Sequence, residues 1–102
     1  GGLGADMSIQ DGRFAARQCA INLLAQVKVA CDGNLDRLQR VIKLGGFVNS
    51  NPNFSDQPQV INGASDFLVE LLGDPGRHAR TAVGAVLPFG VAVEIDGIFL
   101  IK

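Results

Sequence analysis

Residues 77–86 read RHARTAVGAV and residues 91–99 read VAVEIDGIF, with LPFG between them at positions 87–90. Short apolar runs on either side of a Pro/Gly turn predict two strands joined as a hairpin. Each strand has one apolar side that suits a core and one side of small residues interrupted by charge. We therefore expect the fold to be organised around this C-terminal hairpin.

The two sides of the predicted hairpin differ in chemistry. Since side chains alternate faces along a strand, Val83 and Ala85 are expected to face the core. Arg80 then lies on the same surface as Glu94 and Asp96, among residues too small to fill the space. Two interpretations follow: the floor of a small-molecule pocket, or a solvated outer face with an ordinary ion pair.

Length and composition restrict the possible classes of protein. The chain has 102 residues, of which 47% are apolar, and a net charge of −1. One domain over residues 1–102 is expected, without the basic excess that holds a nucleic-acid backbone. No apolar run approaches a membrane helix, so we expect a cytoplasmic protein that does not bind membranes. One histidine and two cysteines predict no metal site, and no cofactor is expected.

The first helix is predicted from apolar residues at three- and four-residue spacing up to Ala30. Asp6 or Ser8 is expected to cap its start, and Gly33 to end it in the left-handed conformation. Cys19 and Cys31 fall on this helix about 18 Å apart, which is beyond disulfide reach. Both are predicted to be reduced, buried thiols.

The remaining elements are a strand over Val41–Val48 and a second helix that begins at Ser55 or Asp56, with Pro58 in its first turn. The C-terminal hairpin follows. We therefore predict an α+β domain in which two helices pack on one face of a mainly antiparallel sheet. The mixed composition of the other face predicts contact with another subunit or with additional strands.

Several motifs together resemble a known family. They are NLLAQ at 22–26, FVNS at 47–50, DQP at 56–58, VINGAS at 60–65, GRHARTAVG at 76–84, LP at 87–88 and VEI at 93–95. The pattern resembles the YjgF/RidA-like family, and within it the branch called chorismate-mutase-like or endoribonuclease L-PSP-like. The resemblance implies a chorismate-mutase-like fold and a homotrimer with a ligand pocket at each subunit interface. Members of the family have about two or three further strands before the first helix, which are missing here. Two interpretations follow: an N-terminally truncated domain, or another contact that replaces those strands.

The resemblance also implies roles for four residues. Arg80 matches the arginine that binds a substrate carboxylate in deaminating members, and Glu94 matches the acid that positions a water. Asn62 matches a polar helix position near the family pocket, or is a surface or packing amide. Asp96 shares the face of Glu94 and acts on it by like-charge repulsion, or bonds across the trimer.

Three functions remain open at this point. The resemblance implies a hydrolase that converts reactive amino-acid-derived enamines or imines to 2-oxo acids and ammonia. The alternatives are a non-catalytic trimeric module that binds a small carboxylate, and an endoribonuclease. His78 is a proton shuttle or a structural histidine, and Arg77 with Arg80 is a possible phosphate site. The chain has no Tyr or Trp to stack on bases, so a nucleic-acid partner is not expected.

Overall fold

The computed structural model describes residues 8–102. Its helices and strands are α1 (Ile9–Ala30), β1 (Leu38–Asn49), α2 (Gln57–Leu72), β2 (Ala79–Ala85) and β3 (Val93–Ile101). Single turns of 3-10 helix occupy Leu35–Arg37, Asp74–Gly76 and Pro88–Gly90. None of the described helices is both long and apolar enough to cross a membrane.

Helix α1 begins and ends where its sequence predicts. The side chain of Ser8 caps it by accepting a hydrogen bond from the Asp11 backbone N–H at 3.1 Å. At the other end, Gly33 has a φ of 85°, and its N–H bonds the Lys28 carbonyl at 2.8 Å. Asp6, the alternative cap, lies outside the described residues. The apolar stripe is buried at Ala16, Ala20, Leu24 and Val27.

Helix α2 also follows its predicted pattern. Pro58 lies in the first turn, and Gly73 ends the helix with a φ of 70°. The helix packs closely on α1. A Cβ at Gly63 would collide with the carbonyl oxygen of Arg13, so only glycine fits at this contact. Its buried residues are Val60, Ile61, Ala64 and Leu68.

The sheet is built around β1 and not around a C-terminal hairpin. The strand order is β2-β1-β3, so the two C-terminal strands lie on opposite sides of β1 and the hairpin prediction is wrong. β1 pairs with β2 in parallel and with β3 in antiparallel orientation. The reason is that α2 connects β1 to β2 as a crossover, and such a connection returns the next strand parallel to the first. The antiparallel β1–β3 ladder is the longer of the two.

The prediction of an α+β domain with two helices on one sheet face is confirmed. Both helices contribute to one buried core with the residues of one face of β1 and β3. A Cβ at Gly46 would meet the side chain of Ile61, which lies on α2, so the side chains at this register position face the helices. The sheet residues of this core include Val41, Leu44, Val48, Val93 and Ile95.

The faces of β2 are reversed relative to the prediction. Ala82 pairs with Gly46 and packs against the core, whereas Val83 pairs with Phe47 and is 40% exposed on the other face. Ala85 shares the face of Val83 by alternation. The prediction that Val83 and Ala85 face the core is therefore wrong, because small side chains, and not branched ones, fit under the closely packed α2.

Candidate functional site

Arg80 lies at the edge of the sheet, between β2 and α2. It pairs with Leu44, so its side chain extends on the helix-covered face. One guanidinium nitrogen, Nη1, donates to the hydroxyl of Ser65 at 3.1 Å, and Nη2 donates to the Pro58 carbonyl at 3.3 Å. Within residues 8–102, Arg80 forms no ion pair with a carboxylate. Its charge is therefore held in place by neutral oxygens of α2.

An open surface depression of about 270 Å³, the Arg80 cavity, lies beside this guanidinium. Arg77 lies on its border, 70% exposed, with Nε 3.6 Å from a carboxylate oxygen of Asp74. Asp66 also borders the cavity, and its carboxylate lies 3.5 Å from a guanidinium nitrogen of Arg13. The lining residues are Ser65, Asp66, Val69, Arg77, His78 and Arg80. The charged lining residues Asp66 and Arg77 thus each have an ion-pair partner, whereas Arg80 has none among residues 8–102.

The turn between α2 and β2 determines which side chains meet here. Gly73 ends the helix, and the next turn brings Gly76 so near to α2 that a Cβ there would collide with the Leu68 carbonyl oxygen. The chain then enters β2 with His78 beside Ser65, whose hydroxyl oxygen lies 2.9 Å from the imidazole Nε2. Ser65 was not predicted as a site residue, because no spacing pattern links it to a histidine thirteen residues later.

Asn62 lies on the same side of α2 as the two residues that bind Arg80. Pro58, Asn62 and Ser65 follow the four- and three-residue spacing that places helical residues on one face. Asn62 is half-buried. The helix therefore brings Asn62 and Arg80 to one side of the molecule.

Glu94 and Asp96 lie on the opposite face of the sheet from Arg80. Glu94 pairs with Phe47 and Asp96 with Gly45, and both carboxylates are exposed. A Cβ at Gly45 would collide with the Asp96 carboxylate, whereas the adjacent Gly46 faces α2. The prediction that Arg80 shares a surface with these two acids is therefore wrong.

The small residues of β2 explain why Arg80 was predicted on the same face as Glu94 and Asp96. They predicted open space above Ala82 and Gly84, but this is where the polypeptide approaches closely. A Cβ at Gly84 would lie 3.0 Å from the Ser50 hydroxyl and 3.1 Å from the Gln57 amide nitrogen. Small residues in a strand mark the close approach of other groups, here two side chains, as readily as they mark a pocket.

The helix-free face of the sheet carries a second depression, of about 400 Å³. It combines exposed carboxylate, cationic and apolar groups, and Ile98 is 59% exposed. Its lining residues are Lys43, Gly45, Phe47, Thr81, Asp96, Gly97 and Ile98. In the described chain this face has no covering element.

The thiol of Cys19 is poorly suited to nucleophilic chemistry. Burial raises the pKa of Cys19 above its ordinary value, and the negative charge of Glu94 raises it further. The thiol also contacts the Val93 carbonyl oxygen at 3.6 Å. Both cysteines are free, and Cys31 is fully buried. Among residues 8–102, no group of His, Cys, Asp and Glu could hold a metal ion.

The sequence of the chain is similar to that of known proteins. The family model described as "YjgF/chorismate mutase-like, putative endoribonuclease" matches residues 1–95. The protein TCP17 of Trypanosoma cruzi is 51% identical over an alignment of 100 residues, which covers 96% of this chain and 62% of TCP17.

Two solved structures have a similar fold. The protein Atu1372 of Agrobacterium tumefaciens, whose function is unknown, is 53% identical with a TM-score of 0.97, over 99% of this chain and 65% of that protein. A "putative endoribonuclease" from Shewanella oneidensis MR-1 is 35% identical with a TM-score of 0.88, over 93% of this chain and 63% of that protein. The chain thus spans somewhat less than two thirds of the length of each of these relatives.

Proposed function

Because the chain belongs to the YjgF/chorismate mutase-like family, we propose that it binds a small carboxylate-bearing metabolite at Arg80. The observation that carries this proposal is the state of the guanidinium. It borders a cavity, it is oriented by two neutral oxygens, and it has no carboxylate partner among residues 8–102. A ligand carboxylate would supply the missing counter-charge.

The remaining hydrogen-bonding capacity of Arg80 suits such a ligand. A guanidinium has five N–H donors in a planar fork, and two of its nitrogens are used for Ser65 and Pro58. The N–H groups of Arg80 that these two bonds leave free are available for a carboxylate. A guanidinium binds a carboxylate through two parallel charge-assisted hydrogen bonds. Asn62, on the same side of α2, would donate to or accept from a second polar group of the ligand.

Calorimetric titration with a 2-oxo acid such as pyruvate tests this binding. We expect saturable binding of pyruvate and none of its neutral methyl ester, because only the acid provides a charge for Arg80. Equal binding of acid and ester would reject the proposed site.

A second candidate function is the hydrolysis of an enamine or imine derived from an amino acid. The observation that favours it is the exposed Glu94 on a sheet face that no described element covers. Since Arg80 lies on the other face, the two groups of one chain do not act together. The reaction therefore requires Arg80 from one copy and Glu94 from another, in a homotrimer with its pockets between subunits.

The chemistry at such a shared site is simple. Arg80 of one copy would hold the substrate carboxylate, and Glu94 of the second would accept a proton from the water that attacks the imine carbon. As the C–O bond forms, the C=N double bond becomes a single bond and the nitrogen takes up the proton. The resulting carbinolamine then loses its hydroxyl proton to Glu94 and forms a C=O bond, while its C–N bond breaks and the nitrogen leaves as ammonia. The products are a 2-oxo acid and ammonia.

Replacement of Glu94 by glutamine tests this second function. Loss of a general base lowers a rate by about 10²- to 10⁴-fold, so 2-oxo acid formation from freshly generated 2-aminoacrylate is expected to fall by that factor in Glu94→Gln. Asp96→Asn, on the same face, is the matched control and is expected to retain most of the rate.

Co-expression of two inactive variants then tests whether the site is shared between copies. Assemblies that contain both Arg80→Gln and Glu94→Gln chains are expected to regain activity, because some sites combine the intact residue of each. If the mixed assemblies stay inactive while the wild type is active, the two residues do not meet across subunits. If the wild type gives no acceleration but binds pyruvate, the chain is a carboxylate-binding module.

RNA cleavage is a third possible outcome, since the family description and one relative's name mention endoribonucleases. The net charge of −1 and the absence of Tyr and Trp argue against binding of a nucleic-acid strand. RNA cleavage that persists in Arg80→Gln after extensive purification would contradict both functions based on Arg80.

A further inference from the structure

A serine hydroxyl and an imidazole meet on the border of the Arg80 cavity. The hydroxyl oxygen of Ser65 lies 2.9 Å from Nε2 of His78. On the other side of the ring, Nδ1 of His78 lies 2.6 Å from the carbonyl oxygen of Gly76. Both side chains are half-buried. The three groups thus form a continuous hydrogen-bonded chain.

The direction of these hydrogen bonds follows from the chemistry of the groups. A carbonyl oxygen can only accept, so Nδ1 must carry the proton that is donated to Gly76. In a neutral imidazole the other nitrogen is then an acceptor, and the hydroxyl of Ser65 donates to Nε2. A nucleophile whose proton points at a base, which is itself oriented by a third group, is the arrangement of an activated serine.

Arg80 completes the arrangement with a fixed positive charge. Its Nη1 donates to the same Ser65 oxygen at 3.1 Å, so the hydroxyl donates one hydrogen bond and accepts one. This bond holds the Ser65 oxygen in place, and the remaining N–H groups of Arg80 are available for the carboxylate of an ester. Arg77 lies farther out on the same cavity.

We propose that Ser65 is a nucleophile activated by His78, and that it accepts acyl groups from small esters that carry a carboxylate. The Ser65 oxygen bonds to the ester carbonyl carbon while its proton passes to Nε2 of His78. The ester C–O bond then breaks, and His78 returns the proton to the departing alcohol. Water, deprotonated by His78, releases the acid and restores Ser65, so the net reaction consumes one ester and one water.

Labelling with a fluorophosphonate, which reacts covalently with activated serines, tests this inference. Intact mass and peptide mapping of the wild-type protein are expected to show one adduct, on Ser65. The labelling rate is expected to fall by about 10²-fold or more in His78→Asn, which retains a donor for Gly76 but lacks the base. Ser50→Ala removes another half-buried, hydrogen-bonded serine without a histidine partner, and is expected to label at the wild-type rate.

The inference shares Arg80 with the proposed function, but the two fail separately. Pyruvate binding without labelling of Ser65 would overturn the nucleophile and leave the carboxylate site intact. Labelling of Ser65 that is equally fast in folded His78→Asn would also overturn it, because the base would then have no role. Labelling that requires His78 supports the inference whether or not pyruvate binds.

Discussion

Replacement of Arg80 by glutamine is expected to weaken the binding of a small carboxylate by about 30- to 1,000-fold, or about 2 to 4 kcal/mol. The loss is large because the substitution removes the positive charge of Arg80, which has no carboxylate partner among the described residues. Calorimetric titration of pyruvate into the wild type and the variant measures it. Arg80→Lys is expected to recover only part of the affinity, since an ammonium group keeps the charge but not the planar fork.

Arg37→Gln is the matched control for this prediction. Arg37 already pairs with Asp32 at 3.1 Å and donates to the Lys102 carbonyl at 2.6 Å. It does not border the Arg80 cavity, so its loss is expected to change the affinity by less than about twofold. Equal affinities of the wild type and Arg80→Gln would contradict the proposed site.

Truncation of Leu44 to alanine is expected to lower the free energy of unfolding by about 2 to 5 kcal/mol. Leu44 is fully buried at the centre of β1, on the face that both helices cover. Its truncation leaves a cavity that the flanking strands and helices cannot fill. For a domain of this size the midpoint of thermal unfolding is expected to fall by roughly 10 °C or more.

The neighbouring Lys43 provides the control, because adjacent strand residues face opposite sides of the sheet. Lys43 is exposed on the helix-free face. Lys43→Ala is therefore expected to change the free energy of unfolding by less than about 0.5 kcal/mol in urea titrations at one protein concentration. Similar losses in the two variants would mean that the assignment of the sheet faces is incorrect.

The two helices were predictable because their signals are local. In α1 the Ser8 cap, the apolar stripe and the left-handed Gly33 all act within a few residues of one another. In α2 the same is true of Pro58 and Gly73. Such patterns depend on backbone geometry that does not change with the rest of the fold.

The strand order depends on how α2 connects β1 to β2, a relation that spans many residues and that the hairpin prediction did not include. A Pro/Gly turn at 87–90 suggested that the last two strands pair, but β1, α2 and β2 form a crossover unit. In this fold the unit places β1 and β2 side by side, and β3 pairs with the free edge of β1. The helix between two strands was the signal available in the sequence.

The candidate site shows the same division between local and long-range information. Arg80 and Asn62 were identified from the resemblance, and both lie on the α2 side of the molecule. Glu94 and Asp96 were placed on the wrong face relative to Arg80, since alternation fixes faces within a strand but not between strands. The contact between Ser65 and His78 depends on the turn at Gly76, whose packing on α2 has no signature in the sequence.

The place where a small carboxylate binds can be located residue by residue by NMR. Titration of pyruvate into ¹⁵N-labelled protein, followed by NMR, reports on each backbone amide and on the Arg80 Nε–H. We expect concentration-dependent shifts that concentrate at Ser65, His78 and Arg80, with the amides of Lys43 and Asp96 unchanged. Shifts confined to the helix-free face, or no shifts at Arg80 at saturating pyruvate, would contradict the account.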